Sequence, residues 1–227
     1  MSSWLLVSGE FPPEGGGVAD YTLQVADGLA ARGHEVHVVA PAGVRPFAAC
    51  AAKVHGVPDR FGPRSLLALD SLIAQIRPER LFVQYVPHAF GFKALNLGLC
   101  AWLAAQRGRL PIWTQFHEVA FPYQGPPWRR TNLLAAAHRA MAALVCRASQ
   151  RRFIATRRWE AVLGPLGGLP AAHLPVPSNV GTEAAPAEVA EWRMRLGLEG
   201  GVSLVGHFGS YGRLLAPLLQ ETIPRLL

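Results

Sequence analysis

Short apolar runs alternate along the chain with longer stretches whose apolar residues recur every three or four positions. The short runs predict strands at residues 4–8, 35–40, 80–84, 112–116, 152–155 and 173–176. The periodic stretches predict helices at residues 18–32, 65–76, 94–106, 128–149 and 158–163. Residues 42–63 predict irregular structure with at most a short strand near Val54. This alternation is typical of βαβ units.

The predicted strands are apolar along almost their whole length, so both of their faces are expected to be buried. That pattern predicts an α/β fold with a mainly parallel sheet and helices on both faces. Right-handed crossovers then bring the loops after the strands to one edge of the sheet, where such folds bind ligands. Candidate functional residues are therefore sought directly after the strands.

The composition changes after Asn179. Residues 181–186 predict a linker, residues 187–196 a polar helix, residues 203–209 a new buried strand, and residues 214–227 a helix. We expect a domain over residues 1–180, a linker with a short helix over 181–201, and the incomplete start of a second domain over 202–227.

Three consecutive glycines, Gly15, Gly16 and Gly17, separate the first predicted strand from the first helix. Glycines let a backbone approach a ligand closely, and a helix N-terminus offers free N–H groups to an anion. The spacing matches neither the dinucleotide fingerprint nor the P-loop. The loop is thus a candidate phosphate or diphosphate site, with an ordinary tight turn as the alternative.

Titratable side chains follow two of the predicted strands. His117 and Glu118 come after residues 112–116, where a histidine could orient a sugar hydroxyl or polarise a leaving group. Tyr85 and His88 follow residues 80–84 and could line the same pocket. The alternatives are a histidine that only caps the sheet edge and side chains that only pack the loop.

The composition is 50% apolar and 16% charged, which excludes a disordered chain. The net charge of +7 is concentrated in the second half, where eight arginines lie between Arg129 and Arg158 with no acidic residue before Glu160. This segment could face an anionic lipid or a phosphorylated acceptor, or it could be a solvated arginine face. A nucleic-acid partner is not expected, because no recognised motif accompanies the charge.

The three cysteines, Cys50, Cys100 and Cys146, form no CxxC pair, so neither a disulfide framework nor a metal site is expected. The first residues lack the basic segment of a signal peptide. The apolar stretch 94–105 falls short of the ~20 residues that span a bilayer. These features favour the cytoplasm, with peripheral contact to a membrane as a further expectation.

Five segments together resemble the N-terminal domain of glycosyltransferase family 4 enzymes, which have the GT-B fold of two Rossmann-like domains. The segments are WLLVSGEFPPEGGGVADYT at 4–22, LAARGHEVHVVAP at 29–41, QYVPHAFG at 84–91, FHEVA at 116–120 and VGHFGSYG at 205–212. The combination of residues in the first segment is specific to the family, and the other four segments support it.

The resemblance implies a retaining transfer of a hexosyl group from a nucleotide-sugar to an acceptor, with no cofactor and no metal. It places Gly15, Gly16 and Gly17 near the donor diphosphate and makes His117 the catalytic residue that contacts the transferred sugar. It also implies donor contacts at the start of the second domain at His207, Gly209 and Ser210. From their places after the strands, Tyr85, His88 and Glu118 are expected to contact the substrate.

The chain departs from the family in the length of its second domain. A complete Rossmann-like domain needs on the order of 150 residues, but only residues 202–227 follow the linker. We therefore expect a truncated enzyme that is weak or inactive alone, or one that a second chain completes. A non-enzymatic α/β anion-binding module, or a subunit of a split transferase, is the alternative. The sequence favours an anionic or lipid-linked acceptor without identifying it.

Overall fold

The computed structural model of the chain describes residues 1–13, 16–43, 50–167, 170–178, 183–198, 200–206 and 215–226. The chain divides into two compact units, Met1–Asn179 and Val180–Leu227. The first unit contains the sheet and five of the helices described below. The second contains two further helices.

Seven strands of the first unit form one all-parallel sheet in the order β3-β2-β1-β4-β5-β6-β7. The strands are β1 (Ser3–Ser8), β2 (Glu35–Pro41), β3 (Lys53–Val57), β4 (Arg80–Tyr85), β5 (Ile112–Phe116), β6 (Arg151–Ile154) and β7 (Ala172–His173). The direction of the strand order reverses between β1 and β4. In open α/β sheets the ligand crevice lies beyond the carboxyl ends of the strands at such a reversal.

The helices of the first unit are α1 (Gly17–Ala31), α2 (Pro63–Ile76), α3 (Leu97–Ala105), α4 (Arg130–Ala148) and α5 (Glu160–Gly167). Two 3₁₀ turns, Phe92–Ala94 and Arg157–Trp159, precede α3 and α5. The second unit holds α6 (Pro186–Arg195) and α7 (Leu215–Leu226). The expected Rossmann-like α/β architecture is confirmed.

The sheet is covered on both faces, as the apolar strands predicted. Successive side chains of β1 point to opposite faces. Leu5 and Val7 join a core cluster with residues of α2, α3, α4 and α5. Trp4 and Leu6 join a second cluster with α1. Two packed layers on one sheet exclude water from the strands, so their carboxyl ends form a rigid edge.

The start of α3 differs from the sequence prediction of residue 94. Asn96 caps this helix, because its side chain accepts a hydrogen bond from the Leu99 N–H at 2.9 Å. Its buried amide also donates to the backbone carbonyls of Phe61 and Phe90, at 3.0 and 2.8 Å. One side chain thus starts the helix and ties together the loops that follow β3 and β4.

The buried face of α4 also differs from the prediction, which placed Leu133 in its apolar stripe. Leu133 is 73% exposed, whereas the neighbouring Asn132 is buried. The Asn132 side chain accepts from the Gln124 N–H at 2.9 Å and donates to the Pro126 carbonyl at 3.0 Å. Hydrogen bonds to the preceding loop therefore fix the rotation of α4, and they override the apolar pattern.

Two short strands were also predicted imperfectly. Residues 53–57 form a full strand, β3, at one edge of the sheet, and β7 has only two residues at the other edge. Of the predicted strand 203–209, residues 203–206 have no strand structure, and residues 207–209 lie outside the described residues. The helix predicted after it is present as α7.

Candidate functional site

The loops after β1, β4 and β5 lie side by side at the carboxyl edge of the sheet. Register pairs Ser8 of β1 with Gln84 of β4, and Gln84 with Gln115 of β5. The residues that directly follow these strands therefore meet at the reversal of strand order. One of these residues, His117, is held in place by contacts from several elements.

Four contacts from three elements, α1, β4 and the 3₁₀ turn Arg157–Trp159, fix the position of His117. Its Nε2 lies 2.8 Å from Oε1 of Gln84, which is fully buried on β4. Its ring meets the Tyr21 ring of α1 edge-on, with centroids 5.0 Å apart. Its backbone N–H donates to the Tyr85 carbonyl at 3.1 Å, and its own carbonyl accepts from Trp159 Nε1 at 3.0 Å. The imidazole is thus preorganised before any ligand arrives.

Burial lowers the pKa of His117 to about 4, because desolvation penalises the charged ring. At neutral pH the imidazole is uncharged and carries one proton. The Gln84 Oε1 atom is a hydrogen-bond acceptor, so that proton lies on Nε2. Nδ1 keeps its lone pair and can accept a hydrogen bond from a hydroxyl group.

The lowered pKa of His117 makes stability depend on pH. An unfolded histidine takes up a proton near pH 6.5 and the folded one only near pH 4, so the free energy of unfolding falls as the pH drops through that window. The variant His117→Gln lacks this titration. When the pH is lowered from 7 to 4.5, we expect its free energy of unfolding to fall by about 1–3 kcal/mol less than that of the wild-type protein. Urea unfolding at both pH values measures it.

Other titrating groups, such as His55 and His138, are present in both proteins and cancel in this comparison. Equal pH dependence in the wild-type protein and His117→Gln would show that the ring is not held neutral by burial.

The other predicted side chains of this edge divide into two kinds. His88 and Glu118 are exposed and lie beside each other, with 3.3 Å between Nδ1 and Oε2. Tyr85 is 1% exposed and packs edge-on against Phe116 in the core. The structure therefore brings His88 and Glu118 together near His117. It assigns Tyr85 to packing, because the last side chain of β4 points into the core cluster.

Only part of the glycine loop is described. Gly16 precedes α1 and Gly17 begins it, while Gly15 lies outside the described residues. A Cβ at Gly17 would meet nothing within 4 Å, and no side chain caps the helix. The space beside Gly17 is thus open, whereas a Cβ at Gly16 would meet the Glu10 carboxylate. The anion site stays a prediction. Gly209, Ser210 and His207 also lie outside the described residues.

Two residues of this edge were not identified from the sequence. Gln84 is a polar residue inside the apolar run RLFVQY, a placement that could have indicated its role. Gly9 follows β1, and a Cβ there would lie 2.5 Å from the Ala89 Cβ and 2.6 Å from the Ala89 backbone. Gly9 therefore lets the loops after β1 and β4 approach each other.

The arginines of residues 129–158 do not share one face. The 19 residues of α4 make a helix about 28 Å long, with Arg130 at one end and Arg147 at the other. Arg152 is buried on β6. Arg139 and Arg158 line a cavity beside the carboxyl edge of the sheet. These arginines thus occupy several separate positions, and contact with an anionic lipid stays a prediction.

Two further features bear on ligands. Within the described ranges, no three His, Cys, Asp or Glu side chains converge as they would around a metal ion. Among the described helices, none combines the length and the apolar character that crossing a bilayer requires.

The fold of this chain is similar to that of several solved structures. An α-glucosyltransferase in complex with UDP and a 13-mer DNA containing a HMU base shares 12% identity at a TM-score of 0.51, over 78% of this chain and 43% of its own. The same enzyme with UDP gives a TM-score of 0.50, at 12% identity, over 78% of this chain and 44% of its own. MurG of Acinetobacter baumannii is also similar, at 12% identity and a TM-score of 0.46, over 76% of this chain and 44% of its own.

The chain thus spans less than half the length of these enzymes, and the first unit corresponds to a Rossmann-like half of the GT-B fold. No curated protein sequence matches the chain significantly. The family model described as Glycosyltransferase Family 4 matches residues 15–174, which cover most of the first unit. The chain belongs to glycosyltransferase family 4.

Proposed function

We propose that this chain provides the acceptor-side domain of a retaining hexosyltransferase that uses a nucleotide-sugar donor, without a cofactor or a metal. The observation that carries the proposal is His117, a neutral imidazole held by Gln84 at the carboxyl edge of the sheet. A family 4 match over residues 15–174 supports sugar transfer as the chemistry of this edge.

We assign the following roles to residues at this edge of the sheet. His117 accepts a hydrogen bond from a hydroxyl of the transferred sugar through Nδ1, and Gln84 is the positioning residue that keeps the proton on Nε2. The N–H groups of the glycine loop and of the first turn of α1 approach the donor diphosphate. The exposed pair of His88 and Glu118 contacts the acceptor.

The donor class is supported by the α-glucosyltransferase neighbour, which is seen with UDP. The acceptor is proposed to be anionic or lipid-linked, because the second half of the chain is basic. The second unit, Val180–Leu227, is much smaller than a complete Rossmann-like domain of about 150 residues. The 227-residue polypeptide alone is therefore expected to transfer sugar weakly, unless a second chain completes the donor side.

A ligand titration tests the proposal and separates it from a simple anion-binding module. UDP-glucose, GDP-mannose, UDP, GDP and inorganic diphosphate are titrated into the 227-residue chain by calorimetry. A transferase domain is expected to bind one nucleotide-sugar at least tenfold more tightly than inorganic diphosphate, because sugar and nucleotide add contacts to the phosphate ones. Equal affinity for all five ligands would support the module, and no binding of any would contradict both.

A further inference from the structure

A cavity of about 360 Å³ opens beside the carboxyl end of β5. It lies between the segment of residues 120–123, the middle of α4 and the start of α5. Its described lining combines two arginines and two aromatic rings with small apolar residues: Arg139, Arg158, Tyr123 and Trp159. None of the described lining residues is acidic, so the two guanidinium charges are uncompensated within the cavity.

Arg139 is held in a defined position. Its guanidinium lies 4.0 Å from the centre of the Tyr123 ring. Its Nη1 donates to the carbonyls of Phe121 and Ala135, both at 2.9 Å. No described residue accepts a hydrogen bond from its Nη2 or Nε. The fold therefore fixes this guanidinium while leaving donors available to a ligand.

Arg158 lies over the Trp159 ring at 4.6 Å. The acidic residue nearest in sequence, Glu160, instead approaches Arg157 at 4.0 Å. Trp159 also donates from Nε1 to the carbonyl of His117 at 3.0 Å. The cavity and the proposed catalytic histidine therefore share one side chain, which makes the cavity an adjoining subsite.

We propose that this cavity binds a phosphate group of the acceptor, with Arg139 and Arg158 as its ligands. The inference rests on the proposed function, because it takes the acceptor to lie beside His117. A guanidinium presents parallel N–H donors that match phosphate oxygens and is weakly hydrated, so a pair of arginines suits a phosphate ester. The exposed Tyr123 side chain offers apolar surface to the sugar or polyol that carries the phosphate.

The test measures phosphate-ester binding without any donor. Glucose 6-phosphate and, as the uncharged control, glucose are titrated into the full chain and into Arg139→Gln, Arg158→Gln and Arg64→Gln. Arg64 is exposed on α2 and is not among the residues that line the cavity, so its substitution removes the same charge outside the proposed site. We expect either cavity substitution to weaken glucose 6-phosphate binding about tenfold or more, while Arg64→Gln and the wild-type chain bind alike.

Arg158→Gln keeps the result interpretable, because Arg158 makes no described hydrogen bond within the fold, whereas Arg139 ties the 120–123 segment to α4.

A second experiment distinguishes the source of the phosphate. The same variants are sedimented with vesicles of phosphatidylglycerol and of phosphatidylcholine. If the chain binds phosphatidylglycerol vesicles but not phosphatidylcholine vesicles, and if Arg158→Gln loses this binding, the phosphate belongs to a lipid headgroup.

The proposal would be overturned if both cavity variants bound glucose 6-phosphate as tightly as the wild-type chain, or if Arg64→Gln weakened this binding equally. It would also be overturned if the chain bound neither glucose 6-phosphate nor phosphatidylglycerol vesicles. The nucleotide-sugar titration is expected to be unaffected by Arg158→Gln. If the chain binds no nucleotide-sugar but still binds phosphate in a way that depends on Arg158, the transferase role is rejected and the proposed phosphate site is supported. The two proposals can therefore fail separately.

Discussion

Replacing Gly9 by alanine is expected to destabilise the first unit by about 3 kcal/mol or more. The new Cβ would lie 2.5–2.6 Å from three atoms of Ala89, and two of those atoms belong to the backbone. A side chain can rotate away from such a contact, but a backbone that follows a central strand can move only with the sheet. Urea unfolding monitored by circular dichroism gives the free energy of unfolding.

Gly28→Ala is the matched control for this substitution. A Cβ at Gly28 in α1 would lie 3.7 Å from the Arg32 Nη1 atom, which is an ordinary van der Waals contact. Alanine is the better helix former by about 0.5–1 kcal/mol, so this variant is expected to be as stable as the wild-type protein or slightly more stable. A loss of less than about 1 kcal/mol in Gly9→Ala would mean that the loops after β1 and β4 can separate easily.

Replacing His117 by alanine is expected to lower sugar transfer by about 100-fold or more, the usual contribution of a positioned polar catalytic group. The substitution removes the Nδ1 acceptor and leaves a space beside Tyr21. The rate of sugar transfer is measured as the release of nucleoside diphosphate from the nucleotide-sugar that binds in the titration. The enzyme concentration is kept high enough to follow the weak transfer by the wild-type chain. His173→Ala, on an exposed position of β7, is the control.

Two conservative variants identify the working atom of His117. Asparagine places a polar atom near the position of Nδ1, and glutamine places one near the position of Nε2, which contacts Gln84. If Nδ1 contacts the sugar, His117→Asn should retain more activity than His117→Gln. The reverse order would assign the contact to Nε2, and full activity in His117→Ala would remove His117 from the mechanism.

The central strands could be predicted from the sequence because burial on both faces leaves a continuous apolar run. The run at residues 112–116 coincides with β5, and this placed His117 at the carboxyl edge. The edge strand β3 was harder to predict, since its sequence KVHGV is short and mixed and only Val57 is buried. An edge strand has one neighbour to bury it, so its apolar pattern is weak.

The rest of the candidate site depended on tertiary contacts that periodicity does not encode. Gln84 holds His117 through a bond between residues 33 positions apart. Asn132 turns α4 by hydrogen bonds to a loop, so Leu133 is exposed although its spacing predicted burial. The arginines lie close together in sequence, but the 19 residues of α4 separate Arg130 from Arg147, which lie near its two ends.

The two outer strands limit how the sheet can associate with other chains. A free strand edge is a template for aggregation, and proteins protect it by shortness or by charge. Here β7 offers only two residues, and β3 carries Lys53, which is exposed and paired with Glu35 at 2.8 Å. Edge-to-edge extension into intermolecular β-structure is therefore disfavoured on both sides, although most residues of the five strands between them are buried.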